Sequence, residues 1–151
     1  MTAGTDGRIL AARAAAWEGN RASLDEHLRV MDAAGEFGRS IEANRQSLRA
    51  AQWALDGRVD EAAAEFRLAR RAFSDLDLSW LEGLSAMDAA FTLPANHPEA
   101  VEARGAARRI FEELGATAML TQLDALPPEA SAEAAASRQP TDSAVVASET
   151  A

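Results

Sequence analysis

The chain has 151 residues and a formal net charge of −9, so it is long enough for one compact domain or one short repeat array. An acidic chain lacks the basic face that nucleic-acid binding requires, and we expect no nucleic-acid partner. All 15 basic residues are arginine and there is no cysteine, which excludes disulfides, thiolate chemistry and lysine Schiff bases.

A phrase of the sequence recurs after 38 residues, since residues 70–77 reappear in similar form as residues 108–115. A fixed period in the range of about 20–50 residues is typical of stacked supersecondary units, which usually serve as surfaces for partners. Carried back at the same offset, the echo aligns several pairs of positions: Ser47 with Ser85, Ala51 with Ala89, Trp53 with Phe91, Leu55 with Leu93, Glu61 with Glu99, Ala62 with Ala100 and Ala69 with Ala107.

The period predicts an N-terminal tail at residues 1–7 and a helical repeat domain over residues 8–126. The domain is expected to contain three helix-turn-helix units and a short capping helix, over residues 8–35, 37–76, 79–114 and 117–126. Residues 127–151 are mainly Ala, Ser, Thr, Glu and Pro, and their only larger apolar side chains are Val145 and Val146. Such a composition cannot bury enough surface to offset the entropy of ordering, and it predicts a disordered tail.

Helix boundaries are predicted from local signals in each unit. The first helices end at Trp17, Leu55 and Leu93, each followed by a glycine or a proline that favours a break. The second helix of the middle unit carries one apolar stripe with spacings of three and four residues, at Val59, Ala62, Phe66, Ala69, Phe73 and Leu76. Ser23 and Ser79 each precede a glutamate by three positions, a pattern typical of helix starts.

The middle unit resembles a tetratricopeptide repeat, with small and aromatic residues where that family has them: Ala50, Trp53, Gly57, Ala62, Phe66 and Ala69. The period departs from the family, 38 residues against about 34, and Ser74 and Glu112 stand where a closing proline is common. Residues 57–126 resemble the C-terminal repeat tails of large bacterial regulators that join a cyclase or a DNA-binding module to a signalling ATPase. The resemblance implies an all-α, right-handed superhelix of about three repeats that recruits proteins.

In tetratricopeptide arrays the binding groove is lined by the first helix of each unit. The resemblance therefore implies eight groove-lining positions: Asn44, Ser47, Ala51, Leu55, Glu82, Ser85, Ala89 and Leu93. They are small and mostly neutral, so a partner in the groove is expected to be a helix or an apolar segment. The alternative is that further repeats, or another part of the same protein, fill the groove.

Four arginines on consecutive second helices form a candidate basic column: Arg70, Arg71, Arg108 and Arg109. Guanidinium groups bind oxyanions in bidentate fashion, so the column could grip an acidic peptide or a phosphate. The alternative is neutralisation within each helix, because Arg71 and Asp75, Arg108 and Glu112, and Arg109 and Glu113 are four residues apart.

No pattern in the chain predicts catalysis, a metal site or a cofactor. His27 and His97 are the only histidines, and neither lies in a spacing that metal sites use. No serine elbow and no glycine-rich phosphate loop is present. We therefore expect no catalytic residue, no metal and no cofactor.

The expected function is protein–protein interaction in the cytoplasm, without enzyme activity and without a membrane partner, because no apolar run approaches the ~20 residues of a span. The partner would be a protein, a peptide or further repeats of the same protein. The alternative is a self-associating helical bundle with a structural role, formed as a homodimer through the N-terminal helices. Among the tryptophans, Trp80 is predicted to be partly exposed.

Overall fold

The computed structural model describes residues 3–127, with side chains from Asp6 onward. All regular secondary structure in this range is helical, which confirms the predicted all-α class. The predicted disordered tail lies outside the described residues, except for Pro127. The helices are α1 (Ala3–Trp17), α2 (Arg21–Ala34), α3 (Arg39–Leu55), α4 (Val59–Asp75), α5 (Ser79–Thr92), α6 (Pro98–Leu114) and α7 (Thr117–Asp124).

Helix starts differ from the prediction at the N-terminal half of the chain. α1 begins at Ala3 rather than at Arg8, so residues 3–7 are helical; Asp6 in the first turn favours this start through the helix dipole. Asn20, not Ser23, caps α2, and its side chain accepts a hydrogen bond from the Ser23 backbone N–H at 3.1 Å. α5 begins at Ser79, the predicted start of the third unit, but without the predicted side-chain cap.

The ends of α4 and α6 have the same turn. Gly115 after α6 lies at φ 66°, and Asp77, 38 residues earlier, lies at φ 60°. In both turns the backbone N–H of the next residue donates to a phenylalanine carbonyl in the last turn of the helix. Ala116 donates to Phe111 at 2.8 Å, and Leu78 donates to Phe73 at 3.0 Å. This left-handed cap suits glycine and tolerates aspartate at a small cost.

Large apolar side chains hold the hairpins α3–α4 and α5–α6 together. Phe66 and Phe73 of α4 and Phe111 of α6 are fully buried, and α5 contacts α3, α4 and α6. Gly83 lets α6 approach α5 closely, because a Cβ atom at this position would lie 2.7 Å from Cζ of Phe111. Burial of this aromatic and aliphatic surface is the main source of stability in this half of the molecule.

The first hairpin, α1–α2, packs differently. α1 contacts α3 and α5 as well as α2, so it lies across the face that the first helices of the other two hairpins form. Its buried apolar side chains are mostly alanines: Ala12, Ala15, Ala16 and Ile9. α2 contributes the larger residues of this hairpin, Leu24, Leu28 and Met31. None of the described helices has the length and apolar character that a membrane crossing requires.

Candidate functional site

The predicted groove is not an open surface in this structure. Six of its eight positions are buried and two, Leu55 and Glu82, are partly exposed. α1 contacts both α3 and α5 on this face, and its Arg13 donates a hydrogen bond to Asn44 there. Small side chains allow this close approach, since Ala51 and Ala89 each have no exposed surface. In the described residues α1 lies on this face, and the assignment of these positions to a partner-binding groove stays a prediction.

A buried ion pair joins α1 to this face. Arg13 Nε donates to Asp88 Oδ1 at 2.8 Å, and Arg13 Nη2 donates to Asp88 Oδ2 at 3.0 Å. The exposed fractions of the two residues are 3% and 0%. This bidentate arrangement is the strong form of an arginine–carboxylate contact. Inside a protein, removal of either partner would leave a charge without compensation.

Neutral donors complete the environment of Asp88. Trp17 Nε1 donates to Oδ1 at 2.7 Å, and Ser47 Oγ donates to Oδ2 at 2.7 Å. The hydroxyls of Ser47 and Ser85, which are 38 residues apart, lie 2.8 Å from each other. Asn44 Oδ1 accepts from the guanidinium of Arg13 at 3.1 Å. We call Arg13, Trp17, Asn44, Ser47, Ser85 and Asp88 the Asp88 network.

The carboxylate of Asp88 is saturated with hydrogen-bond donors. It is fully buried, and its two oxygens already accept from a guanidinium, an indole and a hydroxyl. The ring of Trp17 stacks on Phe91 with centroids 4.9 Å apart, which shields this side of the network. The arrangement can hold one planar cation and one N–H donor that are presented together on a helix.

Sequence reasoning predicted Asn44, Ser47 and Ser85 as groove positions but missed Arg13 and Asp88. A signal was present, because Arg13 is a lone charge in the alanine-rich part of α1 and Asp88 lies between apolar residues of α5. A charged residue in the middle of an apolar helix face predicts a buried partner, since charged side chains are almost never buried without one.

An apolar cleft opens to solvent beside the network, between α1, α5 and α7. Its volume is about 440 Å³, and we call it the α1/α5/α7 cleft; it is lined mainly by Leu10, Ala14, Trp80, Leu84, Phe91 and Met119. Leu10 is 60% exposed and Trp80 is 46% exposed, so the predicted partial exposure of Trp80 is confirmed. Trp80 packs edge-on against Phe111 with centroids 5.3 Å apart, which fixes its orientation at the mouth of the cleft.

Two of the four arginines of the basic column, Arg70 and Arg108, are engaged in ion pairs. Arg70 and its neighbour Arg67 both bind the buried carboxylate of Glu99 on α6. Arg108 binds Asp124 of α7, and this hydrogen bond raises its pKa. The ion pairs therefore run between helices, and the predicted pairs within one helix are not formed. Arg71 and Arg109 are exposed and make no ion pair within the described range.

The depression beside Arg71 has mixed charge. It has a volume of about 690 Å³ and is lined by Arg67, Arg70 and Arg71 together with Asp75, Glu82 and Glu102. Burial raises the pKa of the Glu82 carboxyl, and nearby Arg70 and Arg109 lower it by less. Three carboxylates among three guanidinium groups make this surface a poor receptor for a single oxyanion.

His97 is hydrogen-bonded at the start of α6, and His27 lies within α2. The Nδ1 atom of His97 accepts from the Glu99 backbone N–H at 3.0 Å, so its ring caps α6. Its Nε2 atom lies 3.3 Å from Asp60 Oδ1. His27 is half-buried in α2. Across residues 3–127 no three His, Asp or Glu side chains are grouped in a way that could hold a metal ion.

Comparison of the chain with protein-family models, with curated proteins and with solved structures gives no match.

Proposed function

We propose that this chain is a non-catalytic protein–protein interaction module of the cytoplasm, built as a right-handed superhelix of tetratricopeptide-like hairpins. Its sequence suggests the terminal repeats of a bacterial signalling or transcriptional regulator, or a relative of them. Three observations support the repeat interpretation. Equivalent positions share burial, as Phe73 and Phe111 do; the turns at Asp77 and Gly115 have the same conformation; and the equivalent serines 47 and 85 contact each other.

The observation that carries the interaction proposal is the α1/α5/α7 cleft. Its exposed apolar side chains come from three helices, and Leu10 and Trp80 stand at its mouth with about half or more of their surface in water. An exposed apolar cleft with a polar rim is typical of sites that accept the apolar face of a partner helix. Glu18 at the rim and the net charge of −9 favour a partner with basic residues beside that face.

The test is selection of binders from a displayed library of helical peptides on the full-length chain. We expect enrichment of helices with apolar anchors three or four residues apart and flanking basic residues. Their affinity should fall by about tenfold or more on Trp80→Ser or Leu10→Ser, because hot-spot contacts of this kind are worth about 2 kcal/mol. Leu68→Ser is the matched control, since Leu68 is 49% exposed on α4, outside the cleft. Selected peptides that bind all three variants equally would refute the cleft as the site.

Self-association is the second candidate function, and the exposure of Leu10 favours it. This leucine projects from the N-terminal helix, the element through which a homodimer would form, and it is 60% exposed. Light scattering over a range of concentrations separates the two candidates. A stable dimer that Leu10→Asp dissociates supports the homodimer, whereas a monomer at all concentrations supports recruitment of another protein.

A further inference from the structure

Most of the Asp88 network belongs to α3 and α5, whereas its cation comes from α1. Asn44 and Ser47 lie on α3 and Ser85 and Asp88 lie on α5. These four side chains form a buried acceptor site with one negative charge and with no cation from either helix. The guanidinium of Arg13 and the indole N–H of Trp17, four residues later on α1, fill it. This face is therefore shaped for an arginine and a tryptophan presented one helical turn apart.

The rest of α1 adds little that is specific to its contact with this face. Apart from Ile9, its buried apolar residues are alanines, which bury little area each. The hairpin that contains α1 is joined to α3 through a short link with glycines in positive φ at both ends, Gly35 at 67° and Gly38 at 142°. Phe37 in this link is 81% exposed. The contact of α1 with the α3 and α5 face thus combines small apolar side chains with the specific hydrogen bonds of Arg13 and Trp17.

We propose that the α3 and α5 face around Asp88 is a binding site for a helix of a partner protein that carries arginine and, four residues later, tryptophan, and that α1 occupies this site when the partner is absent. The inference rests on the proposed function in that the ligand is a protein helix. It adds a site that adjoins the cleft, since Arg13 and Trp17 also line the cleft; the Asp88 network binds a guanidinium and an indole N–H, whereas the cleft binds apolar surface.

The helix that replaces α1 on the α3 and α5 face comes from a different protein rather than from a second copy, because it must compete with the chain's own α1. A tethered helix acts at an effective concentration in the millimolar range, so an identical α1 from a second copy gains nothing over it. A partner helix prevails by adding contacts that α1 lacks. Ala14, next to Arg13, is exposed and lines the cleft. A leucine at this position would enter the cleft, so the partner motif is arginine, a large apolar residue, two further residues and tryptophan.

The experiment uses a fluorescein-labelled peptide with the sequence of residues 3–17 and the change Ala14→Leu, titrated by polarisation into the full-length chain carrying Arg13→Gln. In that chain the resident α1 lacks its guanidinium. We expect the peptide to bind at least about 30-fold more tightly than the same peptide with Arg13→Gln, because the buried carboxylate then stays unpaired. The unmodified chain should bind the peptide more weakly than the variant, since its own α1 competes.

Arg8→Gln in the chain is the matched control, because Arg8 lies on the same helix outside the network, and it should behave like the unmodified chain. If Arg13→Gln does not fold by circular dichroism, Trp17→Phe takes its place, since it removes only the indole N–H donor and should also increase peptide binding. Equal binding of the two peptides, or no binding to either variant, overturns the proposal. A concentration-dependent dimer of the unmodified chain that the peptide dissociates also overturns it, because the occupant is then a second copy.

Adding Trp80→Ser to the Arg13→Gln chain separates this proposal from the proposed function. The change should weaken the peptide with leucine at position 14 and leave the preference for arginine at position 13 intact. Loss of the arginine preference counts against the Asp88 site alone. An undiminished affinity counts against the cleft alone.

Discussion

The N-terminal hairpin and the two hairpins that follow it are held in place by different interactions. Helices α3 to α6, which form the second and third hairpins, are held together by large apolar side chains. Phe66, Phe73 and Phe111 are examples, and all three are fully buried. α1 is held to the same core mainly by alanines and by one hydrogen-bonded ion pair at Asp88. Apolar packing tolerates small displacements, whereas a buried ion pair is stabilising only with the correct partner. Large apolar side chains therefore account for most of the stability of α3 to α6, whereas the position of α1 also requires that Arg13 and Asp88 meet with the correct geometry.

The largest effect is expected from a change in the aromatic core. Phe73→Ala should lower the free energy of unfolding by about 3–5 kcal/mol, because it removes a fully buried ring and leaves a cavity. Urea denaturation followed by circular dichroism measures this. Phe37→Ala is the control, since Phe37 is 81% exposed and its loss should change stability by less than about 0.5 kcal/mol. Similar effects of the two changes would contradict the assignment of the core.

Breaking the ion pair should have a similar or smaller effect on stability, concentrated in the N-terminal hairpin. Arg13→Met or Asp88→Leu alone should cost up to about 3–5 kcal/mol, whereas the double variant should cost less than either, since it leaves no unpaired charge. Hydrogen exchange should show that Arg13→Met lowers protection of α1 and α2 amides while α4 and α6 amides stay protected. Uniform loss of protection would show that the hairpins unfold together and would remove the contrast between them.

A smaller effect is expected where α5 and α6 approach most closely. Gly83→Ala should lower the free energy of unfolding by about 1–3 kcal/mol, because the new methyl group meets the ring of Phe111 and the side chain of Ile110. Gly105→Ala on α6 is matched to it, since no atom lies within 4 Å of a Cβ atom at that position. Alanine there should raise stability by about 0.5–1 kcal/mol. The melting temperatures of the two variants should move in opposite directions.

The smallest effect is expected at the two equivalent turns. Asp77→Gly should raise the free energy of unfolding by up to about 1 kcal/mol, because glycine adopts a φ of 60° without steric cost. Gly115→Ala should lower it by a similar amount for the same reason. A stabilised Gly115→Ala variant would show that the left-handed turn does not end α6. Thermal denaturation at one pH resolves both changes.

The sequence predicted the features that depend on repeated local patterns. The ends of α4 and α6, the apolar stripe of α4 and the partial exposure of Trp80 follow from spacing and from neighbouring residues alone. The 38-residue period aligned Ser47 with Ser85, and the structure adds that the two hydroxyls lie 2.8 Å apart. Such features could be predicted because the units repeat similar residue patterns, and these patterns act through neighbours in the sequence.

The contents of the groove and the partners of the arginines could not be predicted in the same way. Arg13 and Asp88 are 75 residues apart in the chain, and no repeat relates them. Arg108 is four residues from Glu112, which the sequence offers as its partner. It binds Asp124 instead, because α7 brings this second carboxylate close to it. Both cases depend on how two separate helices approach each other, which periodicity does not encode. An exposed ion pair is weak, so a small change in geometry decides its partner.

Phe37 is exposed to solvent on the link between α2 and α3, which is bordered by Gly35 and Gly38. This link is therefore a suitable place to divide the chain into two separately expressed fragments. Two polypeptides, one ending and one starting there, would have to find each other in solution through the guanidinium and the carboxylate that now meet within one chain. Reporter fragments fused to the two new ends would turn the occupancy of the α3 and α5 face into a signal that can be followed in living cells.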